Sequence, residues 1–480
     1  MNLTRVATVL ISLLVVQSII GFGLAFQTET YAETDPDVYV GVDLAYGGVS
    51  EAKALIDQVH DYTNFIIVGT SRITQDSNGL NQTFQYAYDN GLSFMSLTPW
   101  FSPTSNAQPR TNRTEWFNYA NQTWGNRLLG FYEGDEPGGK QIDIDEEQTV
   151  RVATTPDDVA TRYENAINQT LAIARTWSLA NTSYPLFTSD YALYWFDYKG
   201  GYDGLFAEFG WNFSRPLNVG LCRGAANVLN KEWGVMITWT YRQPPYIESG
   251  TELFDDMKLA YDSGAKYIVV FDANEGWTEG ILKEEHLEAM QDFWLYIQNN
   301  PRKTVPVEDR TAYLLPKNYA YGFRGPIDKL WGLWDGDEFA YNLCVDVNNT
   351  LSKYGNKIDI IYDDELAPGL DYGYNQQILW NSTSFHVEPT ATPNPSSASS
   401  QTAIPETSPS TSSPNQQSTP QPDDKTGNLS QLIWITAVGT TALLVSSAIV
   451  FYYKKTNIKS AATGNNSSET LETSPRRYKL

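Results

Sequence analysis

Val38-Tyr-Val-Gly-Val-Asp-Leu44 is a short apolar run with one carboxylate near its carboxyl end, and Phe65-Ile-Ile-Val-Gly69 is the next. Between them, residues 50–62 read as an amphipathic helix. Working outward, the same alternation continues to about residue 300. Strands are expected at 92–98, 128–132, 185–189, 204–209, 235–240 and 267–271, and helices at 82–90, 113–124, 156–179, 217–233, 252–263 and 284–298. Thr155 is a candidate cap ahead of Pro156 at the first helical position. Strands separated by helices pair in parallel, because a parallel connection needs a crossover. Eight such units in roughly 260 residues is the count of a closed (β/α)8 barrel. A doubly wound open sheet is the alternative. It is disfavoured because no Gly-rich phosphate loop follows the first strand and the eighth strand has its own helix. The expected class is therefore α/β, with the barrel over residues 38–300.

The chain has 480 residues, with 33 Lys+Arg against 56 Asp+Glu and a formal charge of -23. Phosphate neutralisation needs a basic face, so nucleic acid is excluded as a partner, and attraction to an anionic membrane surface is disfavoured. Two Cys and three His exclude a disulfide scaffold, zinc ribbons and multi-His metal hydrolases. An all-carboxylate Ca²⁺ or Mg²⁺ site stays open. No cofactor is implied. Cys222 and Cys344 lie on predicted helices of different domains, where an interdomain disulfide and a pair of buried thiols both fit. His60 and His286 on helices, and His386 further on, read as structural or surface residues.

Both ends of the chain are apolar. Residues 1–25 carry one positive charge, an apolar run and the small-residue string Gly23-Leu24-Ala25, the pattern of a secretory signal; an uncleaved anchor is the alternative. Residues 432–453 are apolar and uncharged, long enough at about 1.5 Å per residue to cross a hydrocarbon core. Trp434, Tyr452 and Tyr453 suit the interfaces, and Lys454, Lys455 and Lys459 place residues 454–480 in the cytoplasm. The expected topology is single-pass type I in the cell membrane, with the large domain extracellular. Asn-X-Ser/Thr acceptors at Asn81, Asn112, Asn121, Asn168, Asn181, Asn212, Asn348, Asn381 and Asn428 agree with that exposure. Residues 386–429 turn to Pro, Ser, Thr and Gln, a composition that cannot offset its ordering entropy and reads as a stalk.

Residues 301–385 read as a smaller α/β unit, with strands at 311–315, 357–362 and 376–380 and a helix at 337–354. It resembles a truncated flavodoxin-like or amidotransferase-like domain, an appendage found behind some barrel glycosidases. It carries no nucleotide-binding fingerprint.

In such a barrel the loops after the strands build the site. Strand one ends in Asp43, strand three in Thr98-Pro-Trp100 and strand five in Asp190-Tyr191. Strand six carries Glu208, strand seven ends in Trp239-Thr-Tyr241, and strand eight in Asp272-Ala-Asn-Glu275-Gly-Trp277. Carboxylates and large aromatics on one end are the residue mix of a sugar site. Asp43, Trp100, Glu133, Asp190, Glu208, Trp239, Tyr241 and Trp277 are the expected contacts to a carbohydrate.

The strongest local signal is Glu133-Gly-Asp-Glu-Pro137 after strand four. Acids this close repel one another, and burial together raises at least one pKa. Glycoside hydrolysis needs one protonated carboxyl and one ionised partner. The Gly-Asp-Glu-Pro string resembles the end of the fourth strand in several barrel glycosidase-like families, where an acid at this point is the proton donor. The resemblance implies that Glu136 is the donor, with Asp135 beside it. In the large clan of retaining barrel enzymes the nucleophile ends strand seven, and here that strand ends without a carboxylate. Asp272 and Glu275 are the first candidates for the second acid and Glu208 the next. A pair formed across the barrel from strands four and eight would favour wide spacing and inversion.

Three readings follow. One is a membrane-anchored, cell-surface glycoside hydrolase acting on an extracellular or envelope polysaccharide. Another is a noncatalytic barrel that binds glycan or protein, favoured by the missing acid on strand seven. The third is a different barrel hydrolase or lyase.

Overall fold

The computed structural model describes residues 35–99, 101, 113–144, 150–177, 184–364 and 372–380. Eight strands form a closed barrel in chain order: β1 Tyr39–Leu44, β2 Phe65–Val68, β3 Ser93–Leu97, β4 Leu128–Tyr132, β5 Leu186–Asp190, β6 Gly204–Phe209, β7 Glu232–Ile237 and β8 Tyr267–Asp272. Neighbours are parallel, and the barrel closes where Tyr39 pairs with Tyr267 and Leu44 with Asp272. The helices between them are α1 Val49–Val59, α2 Ser77–Asp89, α3 Arg113–Trp124, α4 Pro137–Ile144, α5 Pro156–Trp177, α6 Tyr194–Gly200, α7 Arg215–Leu229 and α8 Gly250–Ser263, with α9 Glu284–Asn299 after β8.

Because strand side chains alternate, each barrel strand serves two cores. Phe65 and Ile67 point inward while Ile66 and Val68 pack under the helices; Tyr267 and Val269 alternate with Ile268 and Val270 in the same way. The interior is plugged at its lower end by aromatics: Tyr39 stacks on Tyr267 at 5.3 Å, and Phe187 meets Tyr267 at 5.5 Å. Each fully buried ring of this kind contributes about 1.5–3 kcal/mol of transfer free energy. Inward positions further along the same strands carry polar groups: Asp43 follows Tyr39 by four residues, Ser189 follows Phe187 by two and Glu208 follows Phe206 by two. A dry layer therefore floors the cavity in which the polar groups gather.

Three local features depart from the sequence expectations. Helix α4 forms in spite of Gly138 and Gly139, poor helix formers, because a side chain of β5 holds its first amides. Helix α6 is only seven residues long and nearly all buried, so it shows no amphipathic period. The helix expected to reach residue 233 stops at Leu229, where Asn230 takes a left-handed conformation with φ of 52°, and β7 starts at Glu232.

The smaller unit is a three-stranded parallel sheet, with β9 Thr311–Leu315 in the centre, β10 Ile358–Tyr362 on one side and β11 Gln376–Leu379 on the other. Helix α10, Glu338–Tyr354, connects β9 to β10. Its junction with the barrel is built on Asp359, which accepts from Arg223 at 2.7 Å, Arg310 at 2.9 Å, Asn227 at 3.1 Å and Tyr374 at 2.9 Å. Arg223 comes from barrel helix α7 and also reaches the Ile358 and Asn356 carbonyls. Trp331, fully buried, packs on Phe196 of α6 at 4.6 Å. Cys222 and Cys344 are both buried free thiols, so no disulfide joins the two parts. Among the described residues no helix is long and apolar enough to cross a membrane. The expectations for residues 1–25, 386–429, 432–453 and 454–480, and for His386, fall outside the described residues.

Candidate active site

Fixing the turn after β4 is the first requirement, because it carries the three acids. Asp190, at the end of β5, is fully buried. It accepts from the amides of Gly138 at 2.5 Å, Gly139 at 2.8 Å, Tyr191 at 2.7 Å and Ala192 at 3.0 Å. A carboxylate against the first amides of α4 also suits the positive end of the helix dipole. The Glu136 amide is held by the Ser189 carbonyl at 3.1 Å, and Glu136 adopts a left-handed backbone with φ of 49°. Non-glycine residues hold such a conformation only where the surroundings over-determine it.

Glu136 is half-buried and faces Glu208, a buried side chain on the interior face of β6, and the two carboxyls are hydrogen-bonded to each other. Burial, then the charges of Asp135 and Asp190, push Glu136 up to about 7. Burial, then Glu136 and Asp135, hold Glu208 well above the usual carboxylate range. Two carboxyls in contact titrate as a unit. The pair therefore keeps one proton near neutrality, with an acid and a base side by side. Ser189 Oγ donates to Glu208 Oε1 at 2.6 Å and lies 2.7 Å from the Tyr132 hydroxyl, which donates to Asp135 at 2.8 Å. Lys140 bonds Asp135 at 3.0 Å and its carbonyl at 2.7 Å.

These groups open into a cleft of about 540 Å³. Asp43, Glu133, Asp135, Glu136 and Glu208 supply its carboxyls, and Trp239, Trp277, Phe271, Met236 and Leu97 its apolar wall. The Trp239 indole donates to the Ala273 carbonyl at 2.8 Å and lies 6.1 Å from the Trp277 ring, which is 50 % exposed. Burial, then Asp135 and Asp272, push Asp43 up to about 8. The close approach to Asp43 depends on Gly69 at the end of β2, where a methyl group would stand 2.2 Å from Asp43 Oδ1.

The structure thus brings Glu136, Asp135, Glu133, Asp43, Glu208, Trp239 and Trp277 together, and separates others. Asp190 does not reach the cleft, since its oxygens are spent on backbone amides. Asp272 does not line it either: its Oδ1 accepts from the amides of Ile281 at 2.6 Å and Leu282 at 3.1 Å, and the Tyr46 hydroxyl also bonds the carboxyl. Glu275 is exposed outside the lining. Tyr241 is 47 % exposed and does not line it either. Hence the carboxyl that meets Glu136 in the cleft is that of Glu208 on β6, and neither Asp272 nor Glu275 lines it. Trp100 is outside the described residues. Ser189, Tyr132 and Thr238 line the cleft without having been expected. For Ser189 the signal was its two-residue spacing from Phe187 on the interior face.

No protein-family model matches the chain, and no curated protein does. Among solved structures it is similar to GH5_18 from Streptomyces cattleya in complex with GlcNAc, at 10 % identity and a TM-score of 0.45, covering 72 % of this chain and 98 % of that one. It is also similar to a β-galactosidase from the haloarchaeon Halorubrum lacusprofundi, at 10 % identity and a TM-score of 0.46, over 71 % of this chain and 69 % of that one. The endo-β-1,4-mannanase from Thermotoga petrophila follows at 9 % identity and a TM-score of 0.34, over 57 % and 81 %. These are barrel glycoside hydrolases, and at such values no residue role is transferred from them.

Proposed function

We propose that this chain is a glycoside hydrolase that acts on an extracellular or envelope polysaccharide, with Glu136 as proton donor and Glu208 as the carboxyl that shares its proton. The observation that carries the reading is the hydrogen-bonded pair Glu136–Glu208 inside a cleft walled by Trp239 and Trp277. A pair that shares one proton supplies both forms that glycoside cleavage needs. Glu136 takes the donor role because it is the more open of the two, and its pKa near neutrality suits proton transfer in both directions. Indole faces supply apolar surface of the kind that packs on pyranose rings. Asp135, through Tyr132 and Ser189, ties the β4 turn to Glu208.

The noncatalytic reading keeps one point in its favour, since β7 ends in Thr238 and Trp239 without an acid. A screen of the full chain against polysaccharides and aryl glycosides separates the two. Release of reducing ends that is lost in both Glu136→Gln and Glu208→Gln supports the hydrolase. Glycan binding with no turnover supports the binder. We also propose that residues 432–453 anchor the protein, with the barrel on the outer side of the cell membrane; the uncharged apolar run followed by Lys454 and Lys455 supports this.

A further inference from the structure

We infer that the cleft selects a saccharide carrying a free ammonium group, an amino sugar unit whose nitrogen is not acylated, and that Asp43 is the residue that selects it. This deepens the reading of the cleft as a glycosidase site and rests on it.

Five carboxyls line the cleft, and no Lys, Arg or His does so among the described residues. Glu136 and Glu208 answer each other through a shared proton, and Asp135 is paired with Lys140 at 3.0 Å. Glu133 also has a partner, and Asp43 is left with the Gly69 amide alone and no cationic side chain. It is 7 % exposed, and its Oδ1 has no hydrogen-bond partner among the described residues. A buried carboxyl is ordinarily paired or fully hydrogen-bonded, so this oxygen is suited to meeting a cation or donor brought by a ligand. Gly69 lets the backbone close on Asp43, bringing its amide and no side chain to the carboxyl.

The barrel order runs β7, β8, β1, so Trp239 and Trp277 stand after the strands that lead round to Asp43. Indole faces beside a carboxylate attract ammonium groups by the ring quadrupole as well as by charge. The proton-sharing pair sits across the barrel on the β4 turn and β6. A sugar lying between the two halves presents its glycosidic oxygen to one and its substituent to the other. A neutral hydroxyl could bond Asp43 but would leave the negative cleft uncompensated. A uronate or sulfated sugar would be repelled by it.

Calorimetric titration of the purified full-length chain tests this, with D-glucosamine, N-acetylglucosamine, glucose and their β-1,4 trisaccharides at about pH 6, where the amine is charged; burial keeps Asp43 protonated there, so an ammonium that meets it displaces that proton, and binding of the free-amine ligands alone releases a proton to the buffer. The free-amine ligands are expected to bind about tenfold or more tightly than their acetylated and neutral counterparts. Asp43→Asn, close in shape to the protonated acid, is expected to bring the ratio to about twofold or less. The comparison on the unmodified chain stands even if the variant folds poorly. Equal or tighter binding of the acetylated or neutral ligands overturns the inference and leaves the glycosidase reading in place, as does a preference that survives Asp43→Asn. Absence of binding by every saccharide, with no polysaccharide cleaved, overturns both.

Discussion

Asp190 Oδ2 lies 2.5 Å from the amide of Gly138, so a strand-end carboxylate of β5 fastens the helix that follows β4. The same carboxylate takes three further amides, and Glu136 sits immediately before the fastened turn. Asp190 thus acts on the chemistry by holding a backbone and does not touch substrate. Asp190→Ala leaves four buried amides without an acceptor, and each orphaned donor costs about 1–3 kcal/mol. We expect a lower thermal midpoint together with a loss of turnover larger than the loss of substrate affinity. Turnover unchanged in a folded variant would show that the turn keeps its shape without the clamp.

The carboxyl pair predicts direct effects on rate. General acid catalysis is worth about 10²–10⁴-fold, so Glu136→Gln should lower kcat on natural polysaccharide by about that factor. The deficit should shrink on aryl glycosides with good leaving groups, which need little protonation. A pH profile provides a second check. Burial and Asp135 place Glu136 at about 7, so kcat/KM should fall as pH rises through that value, when the donor loses its proton. A profile flat from acid to alkaline pH would remove Glu136 from the donor role.

How much of this was legible in the sequence depends on which physical rule was in force. The barrel could be read because eight short apolar runs alternate with helical segments, a pattern set by burial on both faces of a parallel sheet. Asp43 and the acids of residues 133–136 could be read because they end strands. Glu208 ranks behind Asp272 and Glu275 when strand ends alone are read. The two-residue period from Phe206 to Glu208 carries the needed information, since it turns both side chains into the barrel. Asp272 and Asp190 could not be told from ligand-binding acids, because what removes them is backbone amides supplied by residues 281–282 and 138–139. Those bonds follow from loop geometry, which has no side-chain pattern. The shortness of α6 hid it for a related reason: a helix buried on all sides has no period to detect.

Trp239 and Trp277 should account for much of the affinity for sugar. Aromatic contacts contribute about 0.5–1.5 kcal/mol beyond area burial, so Trp239→Ala should weaken glycan binding by about three- to tenfold or more. Trp294 on α9, outside the cleft lining, serves as the control, and its replacement by Ala should leave affinity unchanged. Isothermal titration with the best oligosaccharide from the activity screen provides the comparison. Equal losses at Trp239 and Trp294 would assign the effect to folding.

The barrel and the smaller sheet should unfold together. Asp359 is fully buried and is shared by Arg223 of the barrel and Arg310 of β9's approach. Removing one partner of a buried ion pair costs about 3–5 kcal/mol, because the remaining charge is left without compensation. Arg223→Met should therefore lower the unfolding midpoint and retain one cooperative transition in calorimetry. Two separated transitions in the unmodified protein would contradict the shared network.

Stability should also fall as the solution is made more alkaline. Asp43 and Glu248 are pushed up to about 8 and Asp190 to about 6, in each case first by burial, and Asp197 and Glu208 are also raised, for the same reason. In the unfolded chain these carboxyls titrate near about 4. Between about pH 4 and the folded values, the native state therefore binds more protons than the unfolded state, and the sign of the linkage makes unfolding easier as pH rises. The net charge of -23 works in the same direction, since every further ionisation adds self-repulsion to the compact state. A minority of carboxyls, among them Glu51 and Glu252 at helix starts, are lowered and oppose the trend, but they are exposed and screened. Urea midpoints measured in one buffer series should accordingly be higher near pH 5 than near pH 8, by an amount that shrinks in Asp43→Asn. A midpoint that rises steadily over this interval would mean that the cleft carboxyls are ionised in the folded protein, and with it the shared proton of Glu136 and Glu208 would have to be abandoned.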